Sequence, residues 1–184
     1  MTNPYQEALR NHLRALSLTA PPAPWRLVGS IAIGGFEALG FSSDSKYLLT
    51  VSSSGRCVLD PESGQRLAEE SFRATMNWYD LETLSVEGIG PLAGHSIVVA
   101  GIHGGGLPTL TLDGWVADLI APDWPKSFVT LSPPGSSPWL GVQALGVTKV
   151  APTGGDDVVQ CYGFSWSRRH LVVATSHTVD LFLR

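Results

Sequence analysis

Gly40-Phe41-Ser42-Ser43-Asp44-Ser45-Lys46-Tyr47-Leu48-Leu49-Thr50-Val51-Ser52-Ser53 returns near the far end of the chain as Gly163-Phe164-Ser165-Trp166-Ser167-Arg168-Arg169-His170-Leu171-Val172-Val173-Ala174-Thr175-Ser176. Aligned without a gap, the two stretches share the Gly-Phe-Ser opening, Leu48 with Leu171, and Ser53 with Ser176. Each has a short polar segment followed by an apolar run that ends in hydroxyl residues. That order predicts strand, turn, strand, and its repetition predicts antiparallel β-structure built from similar modules.

Strands and turns continue on both sides of the repeat. Arg26 to Ile33, Phe36 to Phe41, Tyr47 to Ser52, Arg56 to Leu59 and Gln65 to Ala68 are predicted strands. They are separated by Gly34-Gly35, Ser43-Asp44-Ser45, Ser54-Gly55 and Asp60-Pro61-Glu62-Ser63-Gly64, whose side chains favour turns. Met76 to Tyr79, Ser85 to Ile89, Ser96 to Gly101, Leu110 to Leu112 and Phe128 to Leu131 follow, with Asp113-Gly114 as the strongest hairpin signal. Pro122 to Pro125 is expected to break the chain, and Ser132 to Pro138 to form a loop. Val142 to Val150, Val158 to Phe164, His170 to Thr175 and Val179 to Leu183 complete the set, with a turn at Gly154 to Asp157.

Only the first 18 residues carry helical periodicity. Tyr5, Leu9, Leu13 and Leu16 form one apolar stripe; Asn3 can cap the helix and Pro4 suits its first position. Pro21-Pro22-Ala23-Pro24 stops it. The expected organisation is one domain: helix 1–18, stiff connector 19–25, β body 26–184.

Hydrophobic residues at 43% and charged residues at 15% describe a folded chain. A net charge of -4 gives no electrostatic footprint for a phosphate backbone, so nucleic acid is not an expected partner. Cys57 and Cys161 are too few for a disulfide framework and too far apart for a metal knuckle; buried thiols are expected. No signal-like segment and no apolar run of about 18 residues occurs, so no membrane contact and a cytoplasmic location are expected.

Residues 40–64 resemble a blade segment of the WD-repeat and related β-propeller families. The matching residues are Phe41-Ser42-Ser43-Asp44-Ser45, Tyr47-Leu48-Leu49, Ser53-Ser54-Gly55, Val58-Leu59-Asp60 and Glu62-Ser63-Gly64. Residues 163–183 match more weakly, and Tyr79-Asp80-Leu81-Glu82-Thr83 resembles the end of another blade. Blades of about 40 residues leave room for four in this length. Two units and a fragment therefore imply open antiparallel meanders, a partial propeller rather than a closed one. The resemblance implies loops that dock partners. In size, mild acidity and lack of an evident catalytic set, the chain is also similar in profile to small immunity proteins of bacterial toxin systems.

Candidate chemistry is sparse. His103-Gly104-Gly105-Gly106 has the look of an esterase oxyanion motif, and Gly94-His95-Ser96-Ile97-Val98 approaches a nucleophile elbow without its last glycine. A hydrolase using His95, Ser96 and His103 is thus the enzymatic alternative, although no α/β alternation supports that fold. His95, His103, Asp113 and Asp118 lack the spacing of a metal site, and no metal or cofactor is expected. His170 and His177 are expected to be surface or hydrogen-bonded residues. Trp78, Trp115 and Trp166 are expected partly in the core. Trp124 and Trp139 lie in proline-stiffened segments, either as lids on the domain's own core or as interface anchors. Glu69-Glu70 and Asp156-Asp157 are edge or turn residues whose sharper role is complementarity to a basic partner. The expectation is a non-enzymatic binding protein, in its most concrete form an immunity protein that occludes a toxin enzyme's active site. That enzyme would be a nucleotide- or NAD-degrading enzyme or a nuclease. His103, Gly104, Gly105, Gly106, Trp124, Trp139, Asp156 and Asp157 would make the contacts. A propeller-like scaffold is the third reading.

Overall fold

The computed structural model describes residues 3–71, 79–153 and 158–184. Among these residues one α-helix, α1 (Pro4–Ala15), precedes fifteen strands. The Asn3 side chain accepts from the Tyr5 amide at 3.0 Å, as an N-cap does. α1 ends at Ala15, with Leu16 already extended, so its last predicted turn is absent. The connector then runs beside the β body, where Thr19 N–H donates to the Lys149 carbonyl at 3.1 Å.

In chain order the strands are β1 (Arg26–Ala32), β2 (Phe36–Phe41), β3 (Leu48–Ser52), β4 (Gly55–Leu59), β5 (Arg66–Ser71), β6 (Tyr79–Asp80), β7 (Ser85–Glu87) and β8 (Ser96–Val98). They continue as β9 (Ala100–Gly101), β10 (Val116–Asp123), β11 (Lys126–Ser132), β12 (Thr148–Ala151), β13 (Cys161–Phe164), β14 (His170–Ala174) and β15 (Thr178–Leu183). Four antiparallel sheets result. The first is β5-β4-β3-β2-β9, the second β6-β7-β8, the third β10-β11-β12, and the fourth β1-β15-β14-β13. The architecture is therefore mainly β with a single N-terminal helix, and among the described residues no sheet closes into a barrel.

The sheets pack face to face in a row. Val86, Ile97 and Val99 of the second-sheet region meet Ala38, Leu49, Val51 and Val58 of the first. The other face of the first sheet, with Leu39, Phe41, Leu48 and Leu59, meets Val172, Ala174, Val179 and Leu181 of the fourth. The fourth sheet's remaining face, with Phe164, Leu171, Val173 and Phe182, meets Ala117, Val129, Leu131 and Val150 of the third. Trp25 joins that last cluster, edge-on to Trp115 with ring centroids 6.2 Å apart. Leu13 of α1 covers Ile120 and Phe128 on the outer face of the third sheet. The row thus runs second, first, fourth, third, helix.

The repeat has a physical basis. In both copies the serine closes the turn in the same way: Tyr47 N–H donates to Ser42 Oγ, and His170 N–H to Ser165 Oγ. Ser45 and Arg168 occupy the matching left-handed position at φ 61°. The two turns also touch, with Ser167 N–H donating to Ser45 Oγ at 2.9 Å. Each leading glycine sits where a foreign backbone passes. A Cβ on Gly40 would lie 2.2 Å from the Val98 carbonyl oxygen, and one on Gly163 2.5 Å from Leu107 Cβ. What passes is a strap that runs from Val98, the last residue of β8, to β10. It adds β9 to β2, accepts from Phe164 N–H at the Pro108 carbonyl, and accepts from Ala117 N–H at Thr109. Three sheets are joined through it.

Several expectations are corrected. The break expected over Pro122 to Pro125 is partial: β10 runs on to Asp123 as an edge strand, but its register with β11 slips between Ile120 and Asp123, and the turn itself is Trp124-Pro125. Leu110 makes a single bridge to Val116, because the Thr111 hydroxyl and carbonyl close the Asp113-Gly114 turn immediately. Val142 to Val150 is not one strand. Residues Pro138–Gln143 form 3-10 turns, capped by Ser137 and interrupted at Gly141 (φ 58°), and only Thr148–Ala151 is extended. Among the described residues the body strands form four open antiparallel sheets, as expected of meanders that do not close. The predicted Met76 to Trp78 segment and the Gly154 to Asp157 turn lie outside the described residues.

Gly40→Ala should cost about 3 kcal/mol in chemical denaturation, the upper end for overpacking. Gly29→Ala, whose Cβ meets nothing within 4 Å, should change stability by less than about 1 kcal/mol. Similar costs at the two sites would refute the close-approach account.

Candidate interaction surface

His103 follows β9 and packs edge-on against Tyr79, with ring centroids 5.4 Å apart. Gly104, Gly105 and Gly106 are exposed, but they fold back on β9. Gly104 and Gly101 exchange backbone hydrogen bonds of 3.1 and 2.9 Å, and a Cβ on Gly105 would lie 2.5 Å from the Val99 carbonyl. His95 and Ser96 are exposed at the start of β8. The Ser96 hydroxyl donates to Ser85 Oγ at 2.9 Å, and among the described residues no hydrogen bond joins it to His95 or His103. The enzymatic candidates are therefore close in sequence but not linked. Among the described residues no three His, Cys, Asp or Glu side chains group as metal ligands.

The two tryptophan candidates separate. Trp124 is 85% exposed at the tip of the β10–β11 turn. Trp139 is half-exposed on the third sheet, where its side chain hydrogen-bonds Asp118; burial pushes that carboxyl's pKa up and the bond partly offsets the shift. Trp139 thus keeps about half of its surface against its own domain, whereas Trp124 projects. Asp156 and Asp157 lie outside the described residues, as does Trp78. Glu69 pairs with Arg66, and Glu70 with buried Arg56, whose guanidinium also reaches the Glu87 carbonyl. Both cysteines are free and pack in the layer between the first and fourth sheets; burial pushes the Cys161 thiol up to about 12. Low thiolate content argues against nucleophilic use.

Several concavities border the first sheet and its neighbours, and three of them involve residues considered above. A crevice of about 110 Å³ separates Ile31–Gly34 from β3–β5 and holds Arg56, Cys57 and Glu70. A groove of about 420 Å³ lies under Trp166, whose indole donates to the Phe41 carbonyl at 3.3 Å; Tyr47, Leu92 and His95 line it. A hollow of about 680 Å³ on the second sheet is lined by Tyr79, Asp80, Leu81, Glu82, Ser85 and Glu87, and shares His95 and Ser96 with the groove. Sequence reasoning assigned no contact role to Trp166, Tyr47 or the Asp80–Glu87 region. One signal was available: no lysine or arginine occurs between Arg73 and Lys126.

Electrostatics elsewhere are structural. Hydrogen bonds from Arg184, then Thr111, hold the Asp113 carboxyl at about 2. Buried Asp180 accepts from the amide and hydroxyl of Thr153, which fixes the chain leaving β12 to the fourth sheet. No described helix is long and apolar enough to cross a membrane.

No protein-family model and no curated protein matches the chain. Among solved structures it is similar to the C-terminal WD40 domain of Sif2. That alignment has 9% identity and a TM-score of 0.19, and covers 86% of this chain and 34% of that one. The chain thus spans about a third of that structure.

His170 stands at the repeat position of Tyr47, buried at 3% exposure and stacked on Phe41 at 6.1 Å. Burial lowers its pKa below 6.5; Glu62 and Asp60 oppose the shift and Arg169 adds to it. The unfolded chain therefore binds the extra proton, so this contribution is complete above pH 6.5 and lost as pH falls through the folded value. His170→Phe should flatten the fall in Tm between pH 7.5 and 5.5. An unchanged slope would show that His170 does not set it.

Proposed function

We propose that this chain is a non-enzymatic protein-binding domain and, in its most specific form, an immunity protein that neutralises a toxin enzyme by covering its active site. Trp124 carries the reading. A large side chain, 85% exposed on a two-residue turn, loses little freedom on docking and offers an anchor that the fold itself does not use. Glycine-backed His103 would add a second contact. A standard interface takes about 800 Å² from each partner. That is less than a tenth of the 9311 Å² surface available here. No cofactor enters this reading. The scaffold reading differs only in partner number, and simultaneous capture of two proteins would favour it. A toxin-domain gene beside this one would favour immunity.

Two measurements test it. A panel of ester, phosphate and nucleotide substrates should show no turnover; turnover abolished by His103→Ala would replace the binding reading with the hydrolase. Trp124→Ala should leave Tm within about 2 °C of the parent, since surface truncations are nearly neutral. It should weaken binding to an adjacent toxin domain by roughly 30-fold, the mark of a hot spot. Trp139→Ala should instead lower Tm.

A further inference from the structure

The second sheet ends the row, and its two faces differ. Val86 and Ile97 point into the layer shared with the first sheet. The pairing of Asp80 with Ser85 and Ser85 with Val98, and of Glu87 with Ser96, places those five residues on the opposite face. Among the described residues no helix or sheet packs there. Hydrogen bonds link Thr83, Ser85 and Ser96 into a hydroxyl floor. Val98 and Leu81 stand 58% and 63% exposed beside it.

The charge on this face is unbalanced. Six carboxylates lie in the stretch without lysine or arginine; Arg184 pairs with Asp113 and Arg14 with Asp123, while half-buried Asp118 sits away from this face in β10. The other three, Asp80, Glu82 and Glu87, all line the hollow of about 680 Å³, and no ion pair among the described residues involves them. Unmatched carboxylates around exposed aliphatic side chains suit a chain that alternates cationic and apolar groups.

We propose that the outer face of β6–β8 docks an arginine- or lysine-bearing extended segment of a partner protein, with its cations on Asp80, Glu82 and Glu87 and an apolar side chain on Val98 and Leu81. This rests on the protein-binding reading and names the partner's chemistry. It adds a second contact area to Trp124.

The test uses the full chain and a fluorescein-labelled dodecapeptide of alternating arginine and leucine, followed by anisotropy. Binding should weaken between 50 and 300 mM salt, as exposed charges are screened. The Asp80→Asn, Glu82→Gln, Glu87→Gln triple variant should bind at least ten-fold more weakly with an unchanged Tm, and Val98→Asn several-fold more weakly. Spermine at equal charge should leave the peptide bound. Equal binding of a glutamate–leucine peptide, wild-type affinity in the triple variant, or displacement by spermine would each overturn the proposal. If an adjacent toxin domain loses affinity for Trp124→Ala but not for the triple variant, this face is refuted while the binding reading stands. Turnover lost in His103→Ala would refute both.

Discussion

A sheet of apolar strands has two faces, and each must be taken from water. β3 and β14 are buried along their whole length because alternate residues serve opposite layers: Leu48 one, Leu49 the other; Leu171 one, Val172 the other. Burial of this kind stabilises by roughly 25 cal/mol per Å² of apolar surface, so central sheets gain twice from each strand. End sheets gain once and need another solution outside. The third sheet uses an amphipathic helix. The second presents hydroxyls and carboxylates, as terminal units of stacked proteins do.

Local features were legible. The Ser-turn repeat, the helix cap and most strands follow from hydrogen-bonding side chains and apolar runs that act within a few residues. Phe36–Phe41 is an example, with the same bounds in sequence and structure. The order of the sheets was not legible, because it depends on which face meets which. Nor was the strap, since nothing near Pro108 announces that Phe164 will donate to it. At Pro122 the proline slips the register of an edge strand, and the turn comes two residues later.

The site was legible by residue type but not by place. Trp124 and Trp139 carry the same proline signal, yet register sends one into solvent and the other to Asp118. The cation-free stretch could be seen in the letters. Only strand pairing places Asp80, Ser85 and Val98 in one line, and only the packing of Val86 and Ile97 turns that line outward. The binding reading therefore rests on surfaces left over among the described residues: an exposed turn tip, and a sheet face on which no described element packs.

β1 completes the fourth sheet by lying along β15, with Arg26 opposite Leu183. Its partner thus lies far along the chain, and closing so long a loop is slow because chain entropy is lost before any contact forms. During synthesis Leu27, Val28 and Ile31 must wait without their mate. In the meantime the first, second and third sheets, whose strands all precede β13, can already form, and only the fourth sheet between them is missing.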